Sequence, residues 1–455
     1  MKNIFLKNSI VELNQMLNNK NIQFMDLIEE LEKAIQKFEH KVHAWVHYDI
    51  ENLKKEISEN DGFLKKKLTG SMLAGLPVGI KDIYNTKAFP TEMGSPTWKN
   101  FTPGNNSRVV DLLIQEGALV AGKTVTAEFA VHELNETINP HDFTRTPGTS
   151  SSGSAVAVAT GMVPYAMGTQ TAGSIVRPAS FCGIWGMKPS FGLIPRTGIL
   201  KTTDSLDTVG FLASHGKSLR HILDAIRVKG PDYPFVYKNI DSRGEKPKDK
   251  NRPWKVGYVK THIWDKAEKY AQDKFLDFMK ELGTKKDFEV SEIEWNDRIS
   301  EAHNVHEIIY NKSLSYYFQN EEKAGEHISK IMREMIEVGK IVTPDQYKNA
   351  LLLQDSISRE VGKMLDPFDI AFSLGTSSDA PLRGVHEIPD PSLIWTLSHI
   401  PTIAIPVFRS PSGLPLGIQM ISRRFNDYML LQAAEEMIDL NIFPAGSLEI
   451  QNKEF

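Results

Sequence analysis

TPGTSSSGSAVAVATG, residues 146–161, sets three serines between a Pro-Gly turn and an Ala/Val-rich run. A flexible linker would be rich in Gly and Ser on both sides. Here Ser150, Ser151 and Ser152 run straight into AVAVATG, whose unbroken apolar character predicts a buried helix. The serines are therefore held against a core, where a hydroxyl needs a partner. Either they satisfy one another and a helix start, or they belong to an active site.

The flanking chain alternates helix and strand signals. SRVVDLLIQEG (107–117) opens on an N-cap serine and closes on glycine, which predicts a helix, and ALVAGKT follows as a strand. GLPVGIKDIYNT (75–86) is short, β-rich and bounded by Gly and Pro. This alternation argues an α/β fold. Apolar positions at helical spacing (Ile10, Leu13, Leu17; Leu27, Leu31, Ile35) predict helix through residues 7–70. From 146 to 210 the chain is rich in Gly, Ser, Thr and Pro, a length of special backbone that marks a site more often than a plain loop. Residues 241–253 read as an exposed connector, and about 254–365, more charged and mostly helical, as an insertion or peripheral lobe. Strand signals return at FDIAFSL (368–374) and IPTIAIPVF (400–408), and LLQAAEEMI (430–438) reads as a closing amphipathic helix.

The chain has 455 residues and a net charge of −4, enough for a large core and with no electrostatic footprint for nucleic acid. Its one cysteine, Cys182, excludes an internal disulfide. No stretch approaches the ~20 apolar residues of a membrane span, and the amino-terminal residues lack an apolar signal core. A cytoplasmic enzyme is the expectation.

Several catalytic constellations fit poorly. No serine lies in a G-x-S-x-G elbow, so a histidine base drawn from His132 or His141 is disfavoured. HNVHE (303–307) is not HExxH and has no evident third ligand. GTSSSGS lacks the lysine of a phosphate loop. A lysine base remains, provided that burial or nearby positive charge makes it neutral. Lys81 ends the apolar run LPVGI and should enter the interior. Its plainer reading is a lysine paired with a distant carboxylate. In GTQTAGSIVRPASFCGIWGMKPS (168–190), small residues before Ser174 let the N–H groups of Thr171, Ala172 and Gly173 approach a substrate oxygen, as an oxyanion hole requires. The plainer reading there is a tight turn with a capping serine.

GLPVGIKD, TPGTSSSGSA and GTQTAGSIVRPASFCGIWGMKPS together, with DPSLIWTLSHIPTIAIPV (390–407) and SGLPLGIQMISRRFNDYMLLQAA (412–434), resemble the amidase signature family. The likeness covers about 65–210 and 365–437. It implies one large α/β/α domain with a central mixed sheet covered by helices. The expected parts are an N-terminal helical segment (1–64), a catalytic core (65–213), a variable substrate-shaping region (214–365) and the C-terminal part of the core (366–455). The resemblance also implies a Ser–Ser–Lys triad: Ser174 the nucleophile, Ser150 the bridge after a cis Thr149–Ser150 bond, Lys81 the base. Ser151 and Ser152 are then expected to satisfy backbone donors at the helix start. Gln170 and Arg177 are candidate substrate contacts, Arg177 either gripping a substrate carboxylate or pairing with a buried one. The implied reaction is hydrolysis of a small carboxylic amide without metal or cofactor, and a homodimer fits the likeness. Thr149 and Ser152 stand where relatives commonly have glycine, Gln170 where many have Asp, and Ala172 where many have Gly. The chain lacks the motifs associated with the glutamine-handling component of the tRNA amidotransferase, which disfavours that branch.

Overall fold

The computed structural model describes residues 3–229, 248–249, 252–323, 325–385 and 388–452. Its strands are β1 Trp45–Tyr48, β2 Pro77–Lys81, β3 Leu119–Thr124, β4 Tyr165–Gln170, β5 Trp185–Lys188, β6 Thr208–Ala213, β7 Trp254–Tyr258, β8 Phe288–Glu292, β9 Ile370–Leu374, β10 Thr402–Arg409 and β11 Pro415–Ile421. They form one mixed sheet in the order β1-β3-β2-β4-β6-β5-β10-β11-β9-β7-β8. Pairs β2/β3 and β2/β4 are parallel, as are β7/β8 and β7/β9; the remaining pairs are antiparallel. The fold is thus the α/β class expected from the alternation.

Burial explains why the central strands read as continuous apolar or small runs rather than alternating ones. Every residue of β2, β4, β5, β6, β9 and β11 is buried, as in strands packed on both faces. Helix Ser152–Ala159 packs against β2, β3, β4 and β6 and is buried at every position, so AVAVATG is a core helix. Helix Val176–Cys182 packs against β5, β10 and β11. Helix Arg108–Gln115 starts at Ser107, whose hydroxyl accepts from the Val110 N–H, as the sequence predicts.

Two expectations change. Residues 7–70 are not helical throughout: β1 lies between helices Phe24–Val42 and Ile50–Lys67 and pairs antiparallel with β3 at the sheet edge. Nor is 254–365 only a peripheral lobe, since β7 and β8 extend the central sheet beyond β9. Only Phe288 of β8 is buried, and its Glu and Ser content hides it among charged helices. The connector expected at 241–253 falls largely outside the described residues. No helix among the described residues is long and apolar enough to cross a membrane.

Candidate active site

Strands β2 and β4 run parallel as neighbours, so their carboxyl ends open at the same edge of the sheet, where open α/β sheets place their ligands. Lys81 is the last residue of β2 and Thr169 the penultimate residue of β4. Lys81 is fully buried, and its Nζ lies 2.8 Å from Ser150 Oγ, 3.1 Å from Ser151 Oγ and 3.1 Å from Thr169 Oγ1. No carboxylate pairs with it among the described residues. Burial disfavours the charged ammonium and pushes its pKa down to about 7, although the charge of Asp207 acts the other way.

The other two buried lysines of the sheet differ in their partners. Lys123 pairs with Asp82 at 2.8 Å and donates to the Tyr84 and Pro90 carbonyls. Lys188 donates to the Pro189 and Ile400 carbonyls. Only Lys81 is surrounded by hydroxyls, and the carboxylate-paired alternative is realised at Lys123 instead.

Ser151 does not cap the helix: its hydroxyl donates to the Thr169 carbonyl at 3.3 Å and accepts from the Thr169 N–H at 3.4 Å, which leaves one lone pair for Lys81. Ser152 accepts from Asn135 Nδ2 at 2.7 Å. Partners from outside the helix, the Thr169 backbone and Lys81 for Ser151 and the Asn135 amide for Ser152, take the hydroxyls in place of the helix's own N–H groups. The Thr149–Ser150 peptide bond is cis.

The loop after β4 is held by its carbonyls. Thr171 O accepts from His306 Nε2 at 2.8 Å, Ala172 O from Thr396 Oγ1 at 2.7 Å, and Gly173 O from the Arg177 N–H at 2.8 Å. Among the described residues, the N–H groups of Thr171, Ala172, Gly173 and Ser174 meet no acceptor, nor does the Ser174 hydroxyl have a partner. A run of open N–H groups leading into a serine is the arrangement that stabilises an oxyanion.

Gln170 is fully buried. Its Oε1 accepts from the N–H groups of Ile175 and Val176 (2.8 and 3.0 Å), and its Nε2 donates to Thr396 at 2.9 Å. These bonds fold the loop around Ser174. Arg177 is buried too, and takes the second of its two readings. Its Nη2 meets Asp390 Oδ2 at 2.7 Å, and its Nη1 reaches Thr149 O and Oγ1 at 3.2 and 3.3 Å. The guanidinium therefore ties the Ser150 turn to the segment that follows Ser174.

The histidine alternatives go elsewhere. His141 Nε2 lies 3.0 Å from the Cys182 carbonyl, and burial pushes its pKa down to about 4. His132 sits edge-on to the Tyr310 ring. In HNVHE, His303 meets His262 at 2.7 Å while His306 holds the Thr171 carbonyl, so the motif's two rings serve separate partners. Among the described residues no group of three His, Cys, Asp or Glu side chains is placed to hold a metal.

Three residues escaped the sequence reading. Asp207 accepts from Thr171 Oγ1 at 2.9 Å and from the N–H and hydroxyl groups of Thr202 and Thr203, anchoring the loop from β6's entry. His306 and Asp390 come from segments far along the chain. The Gly/Ser/Thr-rich composition up to 210 was the available signal for Asp207. In the sequence His306 stands out only as half of a metal-like motif, and Asp390 only as the first residue of a family segment.

A family model described as Amidase matches residues 26–431. A glutamyl-tRNA(Gln) amidotransferase component from Staphylococcus epidermidis is 27% identical over 94% of this chain and 96% of its own length. A crystal structure described as an amidase superposes with a TM-score of 0.85 at 23% identity, covering 95% of this chain and all of its own. Peptide amidase from Stenotrophomonas maltophilia superposes with a TM-score of 0.80 at 20% identity, covering 99% of this chain and all of its own. The amidotransferase branch that the motifs disfavoured is thus represented among relatives of full length. With the family matched over nearly the whole chain and the sheet shared with solved amidases, this chain belongs to the amidase family.

Proposed function

We propose that the chain hydrolyses the C–N bond of a small carboxylic amide through an acyl-enzyme on Ser174, with Ser150 as bridge and Lys81 as base. The observation that carries the reading is the surroundings of Lys81. A neutral amine has two N–H donors and one lone pair. Ser151 has committed its proton to Thr169 O, so it accepts from Lys81. Thr169 Oγ1 takes the second N–H. In the neutral form the third position, 2.8 Å from Ser150 Oγ, holds the lone pair that receives the Ser150 proton, whereas in the ammonium form Lys81 donates to Ser150 there. An ammonium would have no lone pair to offer.

In the mechanism Lys81 takes the Ser150 proton as Ser150 takes that of Ser174, whose oxygen attacks the amide carbon. The open N–H groups of Thr171 to Ser174 receive the developing oxyanion, a kind of interaction worth about 2.7–4 kcal/mol per donor when one is removed. The protonated relay returns its proton to the departing ammonia or amine. Water then attacks the acyl-enzyme by the same route and releases the acid. These steps use side chains and backbone of this chain alone. The same acyl-enzyme would serve an ester or a hydrazide.

Ammonia release from aliphatic, aromatic, amino-acid and dicarboxylic half-amides, with Ser174→Ala beside the wild type, tests this. Release by the wild type alone supports it; equal release by both proteins sinks Ser174 as nucleophile. The second reading is a partner-dependent component that delivers ammonia, supported by the full-length relative named as part of an amidotransferase. It predicts little ammonia release by the isolated chain and a rise when its partner proteins are added.

A further inference from the structure

Beside the Ser174 loop lies a cavity whose lining includes Arg177, Asp390, Phe181, Thr376, Ser377 and Ser378. Asp390 reaches the nucleophile loop itself: a Cβ built on Gly173 would fall 1.5 Å from Asp390 Oδ2. A lone arginine in such a wall would select a carboxylate, but this one is not alone. Nη2 is on Asp390 and Nη1 on Thr149. A second carboxylate would have to displace Asp390, leaving that ion buried without its partner, or sit against it as a like charge. Asp390 is itself fixed, its Oδ1 accepting from the Ser392 N–H at 3.0 Å and from the Ser392 hydroxyl at 2.7 Å.

The hydroxyls of the lining point the same way. Thr376 Oγ1 donates to Ser378 O, Ser377 Oγ to Pro389 O and Ser378 Oγ to Asp379 O. Thr376 Oγ1 also meets Ser180 Oγ at 2.8 Å; the protons of Ser377 and Ser378 are committed, so toward a ligand these two hydroxyls can only accept.

We propose that Asp390 sets the substrate class by cancelling Arg177, so that the cavity accepts an acyl group ending in an amine or an uncharged group and rejects one ending in a carboxylate. This rests on the amide-hydrolase reading only in taking the cavity as the acyl site.

Three amides of matched length test it: β-alaninamide (ammonium), butyramide (neutral) and succinamic acid (carboxylate). Binding is measured calorimetrically on the full chain carrying Ser174→Ala, and on the same chain with Asp390→Asn or Arg177→Gln added. Succinamate is expected to bind weakest to the first protein. Asp390→Asn keeps the Oδ1 acceptor and should raise the succinamate-to-butyramide affinity ratio about tenfold or more, the scale of one uncovered charge in a pocket. Arg177→Gln should raise the β-alaninamide-to-butyramide ratio instead, so either variant that keeps its melting transition decides the matter. Ratios that do not move, succinamate binding best to the starting protein, or no binding of all three would overturn the proposal. Ammonia release by the chain with Ser174 intact separates the two ideas. Charge-ordered binding without hydrolysis sinks the amidase reading alone, and hydrolysis without charge order sinks the role of Asp390 alone.

Discussion

The pH dependence of kcat/KM is the sharpest test of Lys81. Burial lowers its pKa to about 7 because the ammonium loses its water and gains no carboxylate partner. The base must be neutral, so activity rises with pH. With a pKa near 7, the neutral fraction is about one-eleventh at pH 6 and about ten-elevenths at pH 8, a roughly tenfold gain followed by a plateau. A solvated lysine with a pKa near ~10.4 would give a steady tenfold rise per pH unit through pH 9 with no plateau. A histidine base could imitate the first curve; burial holds His141, His262, His306 and His399 down to about 4, and the Lys81→Ala variant separates Lys81 from any histidine. The assay is initial-rate ammonia release at subsaturating amide from pH 5.5 to 9.5, repeated with Lys81→Ala. The expected outcome is an inflection near 7 in the wild type and no activity in the variant at any pH. A rate still climbing tenfold per unit at pH 9, or a variant that keeps the inflection, would refute the reasoning. The same group gives stability an opposite slope to a paired lysine. The folded state sheds the proton near 7 and the unfolded state near ~10.4, so between these values the unfolded chain binds more protons and stability from this group rises with pH.

Other outcomes follow from the same geometry. His306→Ala should lower kcat about tenfold with KM changed less than about twofold, because the ring orients the Thr171 carbonyl and meets the transition state only through the loop; His306→Gln, which keeps an N–H donor, should recover part of the loss. Gly173→Ala should abolish ammonia release and lower the melting temperature, since its methyl would displace Asp390, an overpacking that costs about 1–3 kcal/mol. Asp82→Ala should shift the urea midpoint by the equivalent of about 3–5 kcal/mol, because it leaves Lys123 buried and unpaired; an unchanged midpoint would contradict a fully buried ion pair.

Much of the sheet was legible because its strands and helices carry their signal locally. Pro77–Lys81 and Leu119–Thr124 are short, largely apolar runs that each follow a glycine, and Arg108–Gln115 has a serine cap and a terminal glycine. β1 was missed because four residues between two strong helices leave no room for a period. β8 was missed because only part of it is buried, so its polar residues resemble the helices around it.

By itself the sequence determined the α/β class, the burial of Lys81 and the grouping of small residues before Ser174, since apolar runs and glycines report burial and backbone approach along a single segment. The tertiary structure alone decided who pairs with whom. Arg177 meets Asp390 across 213 positions of chain, and Thr171 meets His306 across 135. These pairings are made by the chain's return through β10 and by the helical segment between β8 and β9, and no local pattern records them. A buried charge must find a partner, and the sequence says only that one is needed; the three-dimensional packing chose Asp82 for Lys123, Asp390 for Arg177, and three hydroxyls with no carboxylate for Lys81.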